Sequence, residues 1–417
     1  DRLRSRGLGD VYKRQILFLT MYKMVDINEN NIYPNLMKKF HQEGHEVFIV
    51  SPCERREGKP TTLREKKGVH YLNIKTLNVQ KTNVIEKGLG QILLEKQFKS
   101  AIKYYFGNIR FDVILYSTPP ITFTEVIKWV KDKNPQAMTY LMLKDIFPQN
   151  AVDLGMLSKN GIKGLLYYYF RHKEKKMYRI SDWIGCMSPA NVKYVMEHNK
   201  EITPSKVEIC PNSYEVPKLK SELSKDQKNA IRSKYGLPLE VPIFIYGGNL
   251  GKPQGILFLI ECMKVNMNRT DCHFVIVGNG VDYPILESWY NANSPKSVSV
   301  FKSLPKNDYD QLVDACDVGM IFLDYRFTIP NYPSRLLPYL LSKMPIIAVT
   351  DKNCDTGEIA VKNGYGLYCE SDDVNLFICI VNEMLKRDRK KMGERGYQFF
   401  LDNYTVQHTY DAIMQHM

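Results

Sequence analysis

Apolar residues in the first half of the chain follow two alternating patterns. Short continuous apolar runs, of the length of buried strands, alternate with stretches in which apolar residues recur at helical spacing. The strand-like runs cover residues 16–20, 47–50, 113–116 and 138–143, and helical patterns cover 32–40 and 123–131. This alternation predicts a parallel sheet covered by helices.

The same alternation returns in the second half. Strand-like runs cover residues 243–246, 273–277, 298–301, 318–322 and 346–349, and helical patterns cover 256–265, 308–315 and 334–343. Between the two series, several prolines and a charged run interrupt the rhythm over 204–242, which is typical of an interdomain boundary.

These patterns predict an α/β protein with two Rossmann-like, doubly wound parallel-sheet domains that face a central cleft. We expect an N-terminal domain over 16–205, a linker over 206–241 and a C-terminal domain over 242–385. Residues 386–417 are predicted to be helical. The sequence leaves open whether they cross back to the N-terminal domain. In such sheets, ligands bind at the carboxyl ends of the strands.

Composition narrows the class of protein. Of the 417 residues, 44% are hydrophobic and 25% are charged, a balance typical of globular proteins. Residues 1–15 are rich in arginine and lack the apolar middle of a secretory signal, so we expect them to be a non-native leader. Nine scattered cysteines without a C-x-x-C pair predict reduced thiols in the core and a cytoplasmic location.

The excess of positive charge lies in the first half of the chain. Residues 16–205 hold 29 Lys and Arg against 18 Asp and Glu, a net of +11, whereas residues 206–417 hold 24 against 25, a net of −1. This asymmetry indicates that the first half faces an anionic partner such as membrane lipid, nucleic acid or a phosphorylated substrate. A basic surface that serves only solubility is the alternative.

Residues 161–180 are the most distinctive part of this basic half. An apolar and aromatic run comes directly before a cationic run, in the order Leu165, Leu166, Tyr167, Tyr168, Tyr169, Phe170, Arg171, His172, Lys173, Lys175, Lys176 and Arg179. Such a segment suits a helix at the surface of an anionic membrane, where each basic residue contributes ~1 kcal/mol. A core helix with one solvated face fits it equally well. Nucleic acid is not an expected partner, because no recognition motif accompanies the aromatic and basic residues.

Two glycine-rich turns follow neighbouring strands of the second half. Tyr246-Gly247-Gly248-Asn249-Leu250-Gly251-Lys252-Pro253-Gln254-Gly255 opens a helix, and Val277-Gly278-Asn279-Gly280 repeats the arrangement after the next strand. Glycines let the backbone approach a ligand, and a helix start offers free N–H groups to an anion. A tight strand-to-helix turn also needs glycine for its geometry alone. The spacing is not G-x-G-x-x-G, so a nicotinamide cofactor is not indicated.

The segment 329–336 contains a third candidate element. We predict Ser334 as the N-cap of the following helix and Arg335 in its first turn. A cation at that position opposes the helix dipole. We therefore interpret Arg335 as a ligand for a phosphate group.

Read in order, these elements resemble the donor domain of retaining GT-B glycosyltransferases of family 4. The resemblance rests on G-G-N-x-G-K-x-Q-G, V-G-N-G, F-K-S-L-P, A-C-D-V-G and P-S-R-L-L-P-Y-L-L-S-K-M-P-I-I-A. In the first half, Lys144-Asp145-Ile146-Phe147-Pro148 and Cys210-Pro211-Asn212 are similar to the D-L-W-P and P-N elements of one branch, the N-acetylfucosamine-type transferases of O-antigen and capsule synthesis. The resemblance covers residues 16–417, and it implies that the N-terminal domain binds the acceptor and the C-terminal domain binds the donor.

The resemblance implies transfer from a nucleotide-sugar donor, expected to be a UDP-linked amino or deoxy sugar. The acceptor would be a polyprenyl-diphosphate-linked glycan at the inner face of the cytoplasmic membrane, which the N-terminal domain would contact peripherally. No metal or other cofactor is expected. The implied catalytic residues are Lys252, Arg335 and Asp145, and the implied donor-binding residues are Gly247, Gly248, Asn249, Gly251, Gln254, Gly278, Gly280, Leu304, Ser334 and Glu358.

Lys252 and Arg335 would stabilise the departing diphosphate in a front-face displacement, while Asp145 orients or deprotonates the acceptor. For Asp145, a cap or hydrogen bond in the turn before Pro148 is the alternative. Many family members carry two glutamates eight positions apart, where this chain has Pro330 and Pro338, and this departure leaves the donor sugar open.

Asp308-Tyr309-Asp310 spells the D-x-D metal motif of another glycosyltransferase fold. It falls in the first turn of a predicted helix, where acidic residues are favoured electrostatically, so we expect no metal there. Two other functions stay open for the whole chain: a UDP-sugar 2-epimerase-like isomerase of the same architecture, and a non-catalytic sugar-nucleotide-binding protein.

Overall fold

The N-terminal strands form one sheet in the computed structural model, which describes residues 13–78, 84–217 and 222–417. Residues 1–12 of the predicted leader and 218–221 of the charged run therefore lie outside the described residues. The strands are β1 (Gln15–Leu19), β2 (Glu46–Glu54), β3 (Thr62–Lys66), β4 (Val69–Thr76), β5 (Val113–Ser117), β6 (Met138–Leu143), β7 (Trp183–Cys186) and β8 (Val207–Ile209). Within these ranges the sheet has eight strands in the order β3-β4-β2-β1-β5-β6-β7-β8.

Helices cover both faces of this sheet. They are α1 (Ile32–Gln42), α2 (Val84–Phe106), α3 (Thr124–Lys133), α4 (Gln149–Asp153), α5 (Gly161–Ile180) and α6 (Pro189–His198). Because helices cover both faces, β5 and β6 are buried at every position, and their sequences are accordingly almost entirely apolar. The edge strand β3 pairs antiparallel with β4 and is exposed throughout, so the apolar pattern did not predict it.

The second domain repeats this architecture around a parallel sheet. Its strands are β9 (Ile243–Asn249), β10 (His273–Asn279), β11 (Val298–Phe301), β12 (Val318–Phe322), β13 (Ile346–Thr350) and β14 (Gly366–Glu370). Its helices are α7 (Lys225–Lys234), α8 (Ile256–Asn266), α9 (Tyr283–Asn293), α10 (Lys306–Ala315), α11 (Leu336–Leu341), α12 (Thr356–Lys362), α13 (Val374–Lys386) and α14 (Arg389–Asn403). The strand order is β11-β10-β9-β12-β13-β14.

The chain crosses between the domains at two adjacent segments. The N–H of Tyr214 donates to the carbonyl of Tyr404 at 3.0 Å, and the N–H of Val406 donates back to the carbonyl of Tyr214 at 3.0 Å. The last helix, α15 (Val406–Met414), then packs in the core of the N-terminal domain, where the Tyr410 hydroxyl lies 2.9 Å from Nε2 of His45. The two crossings thus run side by side.

The segment 206–241, predicted as a linker, contains regular structure at both ends. β8 extends the N-terminal sheet beside β7. The helix α7 belongs to the second domain, because the Arg232 guanidinium donates to Asp317 at 2.7 Å and to the carbonyl of Ala315 at 2.9 Å. The sequence pattern of this segment did not predict the short strand and the polar helix, because neither has a strong apolar pattern.

The cysteines are free thiols, and eight of the nine are buried, as predicted for core residues. Cys379 is exposed. None of the helices in the described ranges is long and apolar enough to cross a membrane.

Candidate active site

The strand order places a crevice at the carboxyl ends of β9 and β12. The chain leaves β9 towards β10 on one side, whereas β12 lies on the other side, so the connections diverge between these two strands. In doubly wound sheets, ligands bind at this switch point. The glycine-rich turn follows β9, and the segment that leads to Arg335 follows β12. Both candidate elements therefore border the same crevice.

Several predicted donor-binding glycines make room for protein atoms. A Cβ on Gly278 would overlap the carbonyl oxygen of Gly248, and a Cβ on Gly280 would overlap that of Leu250. Gly247 is buried, and a Cβ there would overlap the ring of Tyr309. These glycines allow the two turns to pack against each other, which a side chain would prevent.

The residues after Gly247 form the solvent-facing part of the first turn. Gly248 is exposed and has a φ of 131°, which favours glycine. The side chain of Asn249 donates to Oε1 of Gln254 at 2.9 Å, and Gly251 leaves room for that amide. Lys252 is exposed at the start of a short 3₁₀ turn. The turn is thus internally braced and presents its backbone and one lysine to solvent.

Arg335 lies across the crevice from this turn. The Cζ atom of its guanidinium is 4.4 Å from the centroid of the Tyr246 ring, and a Cβ built on Gly248 would lie 3.5 Å from its Nη2. Its Nη1 is buried and has no hydrogen-bond partner among the residues that the structure covers. A buried cationic donor without an acceptor is costly, so the position favours an anionic ligand.

Tyrosines form the floor beneath the guanidinium. The Tyr339 hydroxyl accepts from the N–H of Gly247 at 3.2 Å and donates to the carbonyl of Ile245 at 3.2 Å. Burial raises the pKa of Tyr339 to about 12, which keeps this hydroxyl neutral. The hydroxyl of Tyr246 donates to the carbonyl of Asn249 at 2.8 Å. The sequence did not predict these tyrosines as site residues. The only sequence signal for either is the position of Tyr246 directly before the glycines.

The helix after Arg335 differs from the sequence prediction. α11 covers Leu336–Leu341 rather than 334–343, Arg335 is its N-cap residue, and no side-chain cap is formed. The prediction of Ser334 as the N-cap is therefore wrong. Pro338 explains the shift: it has no N–H to donate to the carbonyl of Ser334 four residues earlier. That carbonyl instead accepts from Leu337 at 3.2 Å, in a tighter turn that leaves Ser334 exposed.

Two further predicted donor-binding residues lie on neighbouring elements. Leu304 is half-buried between β11 and α10 and packs against the core of the second domain. Glu358 is exposed on α12, after β13. Asp355 precedes it at the interdomain boundary, where its Oδ2 accepts from the N–H of Ala190 at 2.9 Å.

Asp145 follows β6 in the N-terminal domain. Its N–H donates to Oγ1 of Thr118 at 3.2 Å, and its carbonyl accepts from the same hydroxyl at 3.1 Å. These hydrogen bonds hold the turn through the backbone of Asp145 rather than through its carboxylate. Burial raises the pKa of Asp145 to about 6. The carboxylate also lies near Tyr33, whose pKa is raised to about 12 chiefly by burial and further by the charge of Asp145.

A small apolar cluster joins the loops that carry Asp145 and Arg335. Ile146 and Leu154 of the N-terminal domain pack with Phe327 and Ile329 of the second domain. Beside this cluster, Asp153 accepts hydrogen bonds from the N–H of Thr328 at 2.8 Å and from its hydroxyl at 2.9 Å. Asp145 directly precedes Ile146, so its loop meets the segment that leads to Arg335.

The two acids of the D-x-D sequence have separate lysine partners. Asp308 pairs with Lys234 at 3.1 Å, and Asp310 pairs with Lys306. Tyr309 between them points into the protein beside Gly247. Across the described part of the chain, no group of three or more His, Cys, Asp or Glu residues is arranged to hold a metal ion.

Comparison with known proteins identifies the domain that contains this crevice. Residues 227–399 match the sequence model of the family described as glycosyl transferases group 1. This stretch of the second half therefore resembles a glycosyltransferase group 1 domain. Its range includes both glycine-rich turns and Arg335. The chain is also 21% identical to a probable glycosyltransferase, WbjE of Pseudomonas aeruginosa, over 94% of each chain.

Solved structures extend the likeness to the whole fold. Sucrose-phosphate synthase from Thermosynechococcus elongatus has a TM-score of 0.73 at 14% identity, over 96% of this chain and 98% of its own. HepE from Anabaena, solved in complex with UDP-glucose, has a TM-score of 0.67 at 13% identity, over 97% of this chain and 99% of its own. The matched stretch thus lies in one half of a GT-B fold, and the predicted fold class is confirmed.

Proposed function

We propose that this chain is a glycosyltransferase that moves a sugar from a UDP-linked donor, an amino or deoxy sugar, to a lipid-linked glycan acceptor. The proposal rests on the Arg335 guanidinium, which lies beside Gly248 at the switch point of the domain that resembles group 1. Its Nη1 is buried and has no hydrogen-bond partner among the described residues. A donor diphosphate would supply the missing acceptor, since guanidinium groups bind phosphate through charge-assisted hydrogen bonds.

The proposed reaction proceeds with retention by front-face displacement. Arg335 and Lys252 stabilise the negative charge that develops on the departing diphosphate, whose oxygen helps to remove the proton of the acceptor hydroxyl. Asp145 orients that hydroxyl or accepts its proton from the other side of the cleft. The raised pKa of Asp145 supports this role, because a base is most effective when its pKa is near the working pH.

UDP is expected to stabilise the purified protein more than GDP does, without added metal. Two of the similar structures, HepE and an E. coli trehalose-6-phosphate protein, are described with UDP-sugars bound. A ligand at about 100 times its Kd adds ~2.7 kcal/mol to the free energy of unfolding. For domains of this size, such a gain raises Tm by about 5–10 °C in a thermal-shift measurement. Equal shifts with UDP and GDP would contradict the donor, and a shift that needs magnesium would contradict the metal-free site.

Release of UDP distinguishes transfer from the two other functions. A transferase should release UDP from a UDP-sugar when a polyprenyl-diphosphate-linked sugar is added, and far more slowly without it. An epimerase would convert the UDP-sugar without any acceptor, and a binding protein would leave it unchanged.

Exposed apolar residues on the first half of α5 support a membrane contact near the acceptor side. Ile162 is 89% exposed and Leu165 is 75% exposed, and the set also includes Leu166, Tyr168 and Tyr169. Phe170 on the same helix packs against Phe147, two residues after Asp145, with ring centroids 5.0 Å apart. Exposed apolar side chains of this kind insert into the headgroup region of a bilayer.

Lysines in the second half of α5 bind carboxylates of the protein itself. Lys173 pairs with Glu95 at 3.0 Å, Lys175 pairs with Glu201 at 3.1 Å, and Lys176 pairs with Glu125. These pairs fasten α5 to its own domain. The proposed lipid contact therefore rests on the apolar residues, with the exposed Lys159 and Lys163 beside them.

We expect Ile162→Ser combined with Leu165→Ser to weaken binding to vesicles of anionic lipid by about tenfold or more, because two inserted apolar side chains are lost. Co-sedimentation with vesicles measures the effect. Val265→Ser combined with Val361→Ser removes exposed apolar residues from the second domain and should leave binding unchanged. Equal binding of both double variants and the parent would rule out the α5 contact. Raising the salt concentration should weaken the electrostatic part of the binding.

A further inference from the structure

Tyr246 contacts both halves of the crevice. The face of its ring lies under the guanidinium of Arg335, with Cζ 4.4 Å from the ring centroid. Its hydroxyl donates to the carbonyl of Asn249 at 2.8 Å, within the glycine-rich turn. The turn and Arg335 follow different strands of the sheet, and this one side chain links them.

We infer that Tyr246 is a positioning residue for donor binding, which sets the place of Arg335 relative to the glycine-rich turn. The inference rests on the proposed function, because it assumes that both elements hold the donor diphosphate. Tyr246 itself is fully buried and would act through the guanidinium and through the Asn249 carbonyl.

The ring fixes the guanidinium from below. A cation over the face of a tyrosine is attracted by the ring, and the attraction is strongest where water is excluded. A guanidinium held over a ring can still direct N–H groups at a ligand. The ring of Phe322 packs edge-on to Tyr246 at 6.0 Å and limits its movement.

The hydroxyl fixes the turn from the same side. The carbonyl of Asn249 accepts from Tyr246, and the side chain of Asn249 donates to Gln254. The contact with Tyr246 therefore holds the residue that also braces the far end of the turn. Loss of either contact would let the turn and the guanidinium move apart. A diphosphate held between them would then lose hydrogen bonds that depend on their spacing.

The two contacts can be removed separately. The effect of each removal on the affinity for UDP is measured by isothermal titration calorimetry. Tyr246→Phe keeps the ring and loses the hydroxyl, and we expect UDP to bind about fivefold more weakly. Tyr246→Leu also loses the ring, and we expect a loss of about 30-fold. Tyr365→Leu removes another fully buried tyrosine from the same domain, before β14, and should lower Tm without changing UDP affinity.

A double-mutant cycle with Arg335→Ala tests whether Tyr246 acts through Arg335. In the Arg335→Ala background, Tyr246→Leu should weaken UDP binding by less than about fivefold, because the ring has no guanidinium left to position. Additive losses in a protein that binds UDP would overturn the inference while leaving the proposed function intact. Absence of UDP binding by the parent chain would overturn both. If Tyr246→Leu fails to fold, Tyr246→Met fills more of the space without a ring and enters the same cycle.

Discussion

Replacement of Arg335 by alanine is expected to reduce UDP affinity and turnover by about ten- to more than a hundredfold. This range corresponds to the loss of a charge-assisted hydrogen bond of roughly 1.5–3 kcal/mol. The domain should remain folded, because Nη1 makes no hydrogen bond within the described structure and removal of a half-buried cation relieves a desolvation cost. Calorimetry with UDP and initial rates of UDP release measure the effect.

Arg335→Lys should restore part of the lost activity, since lysine keeps the charge but lacks the planar fork. Arg387→Ala is a matched control, because Arg387 is an exposed arginine of the same domain that pairs with Glu383 at 2.7 Å on α13. Full activity of Arg335→Ala, or a loss that only follows unfolding, would show that the diphosphate binds elsewhere.

Replacement of Asp145 by asparagine is expected to lower turnover by about 10²- to 10⁴-fold, the usual contribution of a general base. UDP affinity should change by less than about twofold, because Asp145 belongs to the acceptor side of the cleft. Burial disfavours the charged carboxylate, so the neutral asparagine should not destabilise the fold at neutral pH.

The pH profile gives an independent test of Asp145. Burial raises its pKa to about 6, so the carboxylate is ionised above that pH and protonated below it. We therefore expect kcat/KM of the parent chain to fall as the pH drops through about 6, and this fall should be absent from the residual activity of Asp145→Asn. Asp132→Asn alters an exposed carboxylate on α3 and should preserve both rate and profile. An unchanged rate in Asp145→Asn would assign the residue to the turn alone.

The fold could be predicted from the sequence because buried parallel strands leave a strong local signal. Residues 138–143 and 318–322 are strands with the predicted bounds, and both are buried at every position. The apolar pattern missed β4 and β7, which are largely buried, and it also missed the exposed edge strand β3. β3 has no buried position and so no apolar run.

The sequence contains the residue that sets the start of α11, but the N-cap preference of Ser334 pointed to a different start. Ser334 fits the residue preference of an N-cap, yet Pro338 cannot supply the N–H that would bond to its carbonyl. Interpretation of Arg335 as a phosphate ligand does not depend on that cap. It rests on the contact with Tyr246 and on the unpartnered Nη1.

The sequence by itself determined the fold class, the two series of strands and the glycine turns, because these depend on neighbours along the chain. Only the tertiary structure decided which charges are free. From the sequence, Lys173 and Arg335 are both predicted to be available to an anion. In the structure Lys173 pairs with Glu95 of α2. Arg335 lies over the ring of Tyr246, and its Nη1 has no partner among the described residues. Partners from distant strands and helices leave no periodic trace in the sequence, and their positions arise only when the sheets form.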